Sequence, residues 1–307
     1  MSLATPQSLD YPSGDVSATL LNREALAGNA RREARNLALL TFPAFSLTFV
    51  FVVLPVIWLF ALSFVEKGQF GFGHYERMIT YSSYSKILFT TLKISGVVTV
   101  ICAVLGYPVA YLIAQLPGRL AMAFIALIII PFWTSVLVRS YAWLVLLTDA
   151  GPVNQTLMWL GLVDQPVSLL FNETGSVIGM VHIMLPFFIL PVYAVIRSFD
   201  WRLLEAASSL GAPPVSAFLR VFLPLSLPGV LAGAVLVFVQ CLGFFVTPAV
   251  LGGGKVTMVS MKIASNVQQY FDWGAASALG IVLLFCVLSI LYIGHRLFDL
   301  DRLLGVR

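Results

Sequence analysis

The chain has 307 residues, of which 59% are hydrophobic and only 10% charged, and its mean hydropathy is +0.95. Soluble globular domains carry about 25% charged residues, so this composition excludes a water-solvated fold and makes lipid the solvent for most of the chain. The net charge of +4 follows from the loop asymmetry described below and implies no nucleic-acid partner.

Residues 1–36 are polar, mixed in charge and rich in Ser, Ala and Arg, without apolar periodicity. They are expected to form a mobile cytoplasmic tail leading into a helix around Ala30 to Leu37. A cleaved signal peptide is not expected, because the first apolar run is too long and lacks a short h-region followed by a small-residue cleavage site. Six apolar segments follow, near Leu37 to Val65, Thr90 to Leu116, Leu120 to Leu147, Gly175 to Ile196, Leu225 to Leu251 and Ala275 to Leu297. Each is long enough to cross about 30 Å of hydrocarbon at roughly 20 residues per span. Runs so long and continuously apolar cannot be barrel strands, which alternate, so the spans are helices and the fold is an all-α polytopic membrane protein. Residues 37–297 make one transmembrane domain with a polar insert at about 200–224, and residues 298–307 form a C-terminal tail.

Basic residues orient the spans. With the N-terminus inside, Arg23, Arg31, Arg32, Arg35, Arg119, Arg197, Arg202, Arg220, Arg296, Arg302 and Arg307 are cytoplasmic, eleven against the five of the outside loops, Lys67, Arg77, Lys86, Lys255 and Lys262. Lys93 and Arg139, near the outer ends of their spans, raise the outside set to seven at most. Both termini and the 200–224 insert are then cytoplasmic.

Prolines interrupt several spans: Pro108, Pro131, Pro186, Pro191 and Pro248. Each frees backbone groups that neighbours or cavity water must satisfy, and broken helices of this kind often line a pathway; kinks that only improve packing are the other reading. Gly96, Gly106, Gly229, Gly233 and Gly280 read as close-packing positions. Cys102, Cys241 and Cys286 lie within spans and are odd in number, which fits small apolar core residues and supports neither a disulfide framework nor a metal site.

Two clusters are candidate pathway contacts. Pro131 to Leu147 places Trp133, Thr134, Ser135, Arg139, Tyr141 and Trp143 after a proline break. Arg139 is expensive in lipid and should face a cavity, a partner subunit or the headgroups. Gln240 to Gly254 ends the fifth span with Gln240, Phe244, Phe245, Thr247 and a glycine run, and an amide amid apolar helix needs a partner. His182 reads as a hydrogen-bonded packing residue. The loop from Thr148 to Thr174 holds Asp149, Asp164 and Glu173 with no Lys or Arg, so these acids would draw a cation toward the mouth.

The polar insert is the most specific feature. Asp200 caps a short helix through Glu205, Ala206 and Ala207, Gly211 ends it in the left-handed region, and Pro213 and Pro214 open a second helix. Leu223 and Pro224 are expected to break that second helix before the next span. Leu203, Ala207 and Leu210 share an apolar face that either packs beneath the membrane domain or enters a groove on a partner. The spacing of Glu205, Ala206, Ala207, Gly211, Val221, Leu223 and Pro224 resembles the EAA loop of ABC importer permeases, with Val221 where Ile is usual. Together with the runs from Pro131 to Trp143 and Phe244 to Gly254, the chain from Leu37 to Leu297 looks like the spermidine/putrescine-type branch of that family.

The resemblance implies a type I ABC importer permease fold in the bacterial inner membrane. It further implies a homologous second permease, two copies of an ATPase that receives the EAA loop, and a periplasmic binding protein. ATP and Mg would sit on the ATPase, with Glu205 facing a basic residue there and no cofactor on this chain. Relatives of this type also carry opines, other organic amines, phosphonates or ferric iron, so cargo stays open. Aromatic faces at Trp133, Tyr141, Trp143, Phe244 and Phe245 suit an ammonium, whereas no span carries a carboxylate and Arg139 would repel a cation. No GxxxxGK[ST] phosphate loop or HExxH is present, so no catalytic residues are assigned. The rival class, a secondary transporter, needs ionisable groups within the spans and has no use for the insert.

Overall fold

The computed structural model describes Leu37 and residues 40–43, 45–66 and 68–298. The expected N-terminal tail, the helix around Ala30 to Leu37, Lys67, the Arg296 side chain and the C-terminal tail beyond Phe298 lie outside the described residues. Two compact units divide the chain, Met1–Leu59 and Phe60–Arg307, and the site lies wholly in the second.

Among the described residues, five helices are individually long and apolar enough to cross a membrane: α1 (Leu40–Leu62), α3 (Ser82–Gln115), α7 (Glu173–Arg197), α9 (Pro214–Leu242) and α12 (Trp273–Phe298). A bent pair supplies the sixth crossing. Its halves are α4 (Gly118–Ile129), which runs on as a 3-10 turn through Ile130–Trp133, and α5 (Val136–Leu146), set at 96° to it. Shorter elements fill the connections: a hairpin of β1 (Val65–Glu66) and β2 (Gln69–Phe70), then α2 (Gly73–Thr80), α6 (Pro152–Trp159), α8 (Arg202–Ser209), α10 (Val246–Leu251) and α11 (Val259–Gln268).

The core is the packing of α3, α7 and α9. Ile94, Val98 and Cys102 from α3 meet Met180, Met184, Phe188 and Val192 from α7 and Val237 and Cys241 from α9, all buried. Lipid is as apolar as leucine, so close approach and polar bonds drive such association more than hydrophobic transfer does. Phe188 shows how the sequence permits it. A Cβ at Gly106 would lie 2.7 Å from the Phe188 ring, and one at Gly233 would lie 3.0 Å from the Phe188 carbonyl oxygen. Gly229 similarly admits Val195. Tyr107 and Ser226 add a hydroxyl bond of 2.9 Å between α3 and α9.

Four expectations from sequence change. The third span breaks at Thr134 and Ser135, because Pro131 lacks an N–H and Ser135 caps a new helix by accepting from the Leu137 N–H at 3.3 Å. The fifth span ends at Leu242, with Val246–Leu251 a separate helix beyond Gly243. Pro224 does not break its helix: a π-turn at Phe218–Phe222 precedes it, and the helix continues to Leu242. Such local π adjustment is how a helix passes a proline in lipid. Gly96 and Gly280, read as close-packing positions, face open space instead.

Candidate coupling and pathway site

The stretch between α7 and α9 is rigid by local chemistry. The Asp200 carboxylate accepts from the Arg202 N–H at 3.1 Å at the start of α8. At its end Gly211 has φ +84, the Gly211 N–H donates to the Ser208 carbonyl at 2.9 Å, and the Ala212 N–H donates to the Ala207 carbonyl at 3.0 Å. Those paired bonds are a Schellman cap, which a left-handed glycine makes without strain. Pro213 then stands at the N-cap of α9 and Pro214 at its first helical position, where a missing N–H costs nothing.

An aromatic cluster, not anticipated from sequence, bolts this element to the spans. Trp201 stacks on Phe222 at 5.6 Å, Phe199 meets Phe222 edge-on at 5.0 Å, and Tyr111 of α3 contacts both Phe218 and Phe222. Arg197 adds a bond from its guanidinium to the Ala114 carbonyl at 3.1 Å. The only sequence signal was the recurrence of aromatic residues on either side of the insert, which a linear pattern does not bring together. Of the apolar face expected on α8, Leu203 and Leu210 are exposed, Leu210 to 89%, and Ala207 is half-buried, while Leu204 packs toward the core. Glu205 and Ala206 are exposed, Leu223 is half-buried and Pro224 exposed. A short helix thus presents a carboxylate, unpaired among the described residues, beside two bare leucines.

At the opposite end of α7, the two candidate pathway clusters meet in part. Ser140 of α5 and Thr247 of α10 share a hydroxyl bond of 2.8 Å, and both are buried. Trp143 donates from its indole N–H to His182 Nδ1 of α7 at 3.1 Å, so His182 is a bonded packing residue. The Arg139 guanidinium lies over the Phe132 ring at 5.7 Å, and its Nε is buried without a hydrogen-bond partner. Trp133 is 90% exposed, Tyr141 is exposed, and Thr134 turns back to the Pro131 carbonyl at 2.7 Å.

Gln240 stands apart, exposed on α9 without a hydrogen-bond partner among the described residues. Phe244 is half-buried against the core and its carbonyl accepts from Ser260 at 2.7 Å. Phe245 opens onto a cavity of about 760 Å³ shared with Tyr81, Tyr84, Lys262 and Gln269. Asp149 and Asp164 are exposed, whereas Glu173 accepts from Lys93 Nζ at 2.6 Å. The connecting loop has its own organiser, also missed from sequence: buried Asn154 donates to the Thr148 and Val167 carbonyls and accepts from the Val167 N–H. Among the described residues no group of His, Cys, Asp and Glu could hold a metal ion.

Helices long and apolar enough to cross a membrane, three of them packed into one core, with a stiff capped helix in the connection between two of those three, define a polytopic membrane protein. The chain belongs to the family of binding-protein-dependent transport system inner membrane components, matched over residues 104–301. It is 33% identical over 252 residues to the spermidine/putrescine transport system permease protein PotB of Escherichia coli (strain K12), covering 79% of this chain and 91% of that protein. It is 34% identical over 258 residues to PotB of Haemophilus influenzae, covering 81% of this chain and 90% of that protein. Its fold matches a chain from the bacterial alginate ABC transporter solved in complex with an alginate pentasaccharide-bound periplasmic protein. That match has a TM-score of 0.68 at 20% identity, over 88% of this chain and 95% of the other. The protein is therefore a multi-pass inner-membrane permease subunit of a binding-protein-dependent ABC importer.

Proposed function

We propose that this permease forms half of a translocation pathway for a polyamine of the spermidine or putrescine kind. A homologous second permease supplies the other half, two copies of a separate ATPase hydrolyse ATP, and a periplasmic binding protein delivers the cargo. This chain is non-catalytic and binds neither ATP nor Mg. Both of its termini and the Glu205 to Pro224 element face the cytoplasm, and the Glu173 end of α7 faces the periplasm.

The observation that carries the coupling role is the Schellman-capped α8, which holds Glu205 beside exposed Leu203 and Leu210. A bare apolar face with one charge, on an element stiffened at both ends, suits a groove on a partner that must push and be pushed. For the cargo, support comes from the spermidine/putrescine permeases it resembles over most of its length. Exposed Trp133 and Tyr141 offer π faces to an ammonium, and Asp149 and Asp164 give the mouth a negative field.

Reconstitution into vesicles with the second permease, the ATPase and the binding protein tests the reading. Labelled spermidine should enter only with ATP and with binding protein present. Uptake driven by an ion gradient without the ATPase would replace this reading with a secondary transporter, and ATP-driven uptake of another solute in preference to polyamines would replace the cargo alone.

A further inference from the structure

Arg139 is the one basic side chain of the bent pair's second half, and nothing among the described residues answers its charge. It makes no hydrogen bond, its Nε is buried without an acceptor, and its one aromatic contact is Phe132. The depth of the guanidinium can be read from α7. Phe132, beneath it, meets Phe187 edge-on at 4.9 Å, and Trp143, one turn further along α5, meets His182 at 3.1 Å. His182 and Phe187 are nine and fourteen residues from Glu173, which at 1.5 Å per residue is about 13 and about 21 Å along the helix. Glu173 marks the end of the span, where it pairs with Lys93. The hydrocarbon core is about 30 Å thick, so the guanidinium lies near its middle, not near the outer end of its span where the sequence placed it.

That position removes the usual resolutions. The charge itself is held over Phe132, so the side chain is not extended toward the headgroups as a snorkelling arginine would be. No Asp or Glu lies in the interior of any crossing of this chain. A charge at this depth requires a partner or a water-filled cavity. Arg139 itself is half-buried and its neighbour on α5, Val138, is exposed, so part of the group is open to another chain.

We propose that Arg139 forms an ion pair, near the bilayer midplane, with an Asp or Glu of the second permease. The inference rests on the polyamine reading in one respect: a cationic cargo cannot be the counter-charge, which leaves the partner subunit to supply it. The pair neutralises a guanidinium that would otherwise repel the cargo and fixes the register of the two permeases.

The test uses the complete complex. Removing one member of a buried pair strands the other charge, whereas removing both is tolerated. Arg139→Met should therefore lower the recovery of the second permease with this chain by roughly 100-fold, with this chain still inserted in the membrane. Neutralising one in-span acid of the second permease, Asp to Asn or Glu to Gln, should restore recovery, and Arg139→Glu should be restored by an arginine at that same acid. The proposal is overturned if Arg139→Met assembles like the parent. It is also overturned if no partner substitution restores assembly, or if the variant assembles but raises the KM for cargo, which would make Arg139 a cargo contact. Charge rescue among the variants, with a parent complex that takes up no spermidine, keeps the ion pair and refutes the cargo reading alone.

Discussion

Thr247 donates to Ser140 across 2.8 Å, and the direction is fixed because the Ser140 hydroxyl hydrogen is given to the Val136 carbonyl at 2.9 Å. One buried bond thus ties the second half of the bent span to the short helix that follows the fifth span. Thr247 entered as a candidate pathway contact, and the structure places it inside the protein, where its bond positions α5 and α10 against each other. Thr247→Val keeps the shape and removes the donor, which should cost about 1 kcal/mol, the usual net worth of such a bond. Ser140→Ala strands the Thr247 hydroxyl and should cost about 1 to 3 kcal/mol. Thermal unfolding of the detergent-solubilised protein measures both, and the double variant should lose less than the sum.

The coupling element invites a separation of charge from backbone. Gly211 has open space around its Cβ position, so a substitution there acts through its φ of +84 rather than by collision. Gly211→Asn should cost little and Gly211→Val about 1 kcal/mol or more, since only short polar side chains tolerate the left-handed region. Glu205→Lys leaves the fold untouched, because Glu205 is exposed. ATPase co-purification should fall strongly in Glu205→Lys and Gly211→Val and stay near the parent level in Gly211→Asn. Normal docking and transport in both damaging variants would remove this element from coupling.

These two sites mark what sequence carries and what it does not. The cap at Gly211 and the break after Pro131 are local: a glycine after a helical run and a proline before a Ser cap act within a few residues, so the linear pattern states them. The angle at that break, 96°, is not stated, because lipid-facing helices lose the polar stripe that would mark their phase and the composition through Leu120 to Leu147 is continuously apolar. The persistence of α9 through Pro224 depends on a π-turn, which no residue type announces. Phe222 collecting Tyr111, Phe199, Trp201 and Phe218, and Lys93 reaching Glu173 across eighty positions, are tertiary events that spacing cannot encode.

That last contact alters the electrostatics of the loop. Asp149, Asp164 and Glu173 read as three acids at the mouth, yet Glu173 is matched by Lys93 in a half-exposed pair. Such a pair contributes about 0 to 1 kcal/mol to stability and leaves little net field. Neutralising Asp149 and Asp164 together should weaken the dependence of uptake rate on ionic strength, and Glu173→Gln, by uncovering Lys93, should lower the rate for a cation at low salt. Lys93→Ala, by uncovering Glu173, should raise the rate for a cation at low salt. An initial-rate series in increasing salt distinguishes them, and a rate that falls in Lys93→Ala would point to an anionic cargo.

Topology is checked with single cysteines on a Cys286→Ala background, in which the remaining Cys102 and Cys241 are buried. Leu210→Cys, on the exposed end of α8, should react with a membrane-impermeant maleimide only after the cytoplasmic face is opened. Leu160→Cys, exposed beyond α6, should react in intact spheroplasts. The opposite pattern would invert every span and remove the Glu205 element from the compartment that holds ATP.

Aromatic contacts to cargo are best tested where the side chain has no structural duty. Phe244 is a poor choice, because it packs against the core and its backbone anchors Ser260. Truncating it should lower stability by about 2 kcal/mol, less than for a fully buried aromatic, and transport would fall for that reason alone. Trp133 is 90% exposed and Phe245 is 40% exposed at a cavity, so Trp133→Ala and Phe245→Ala should unfold at the parent temperature. A desolvated ammonium on an aromatic face is worth up to about 2 kcal/mol, so losing one should reduce spermidine uptake by roughly 10-fold, with Trp133→Phe restoring most of it. If both alanine variants transport spermidine at the parent rate while remaining assembled, neither ring meets the cargo. The pathway would then have to be sought along the second permease and around Gln240 and Tyr141 instead.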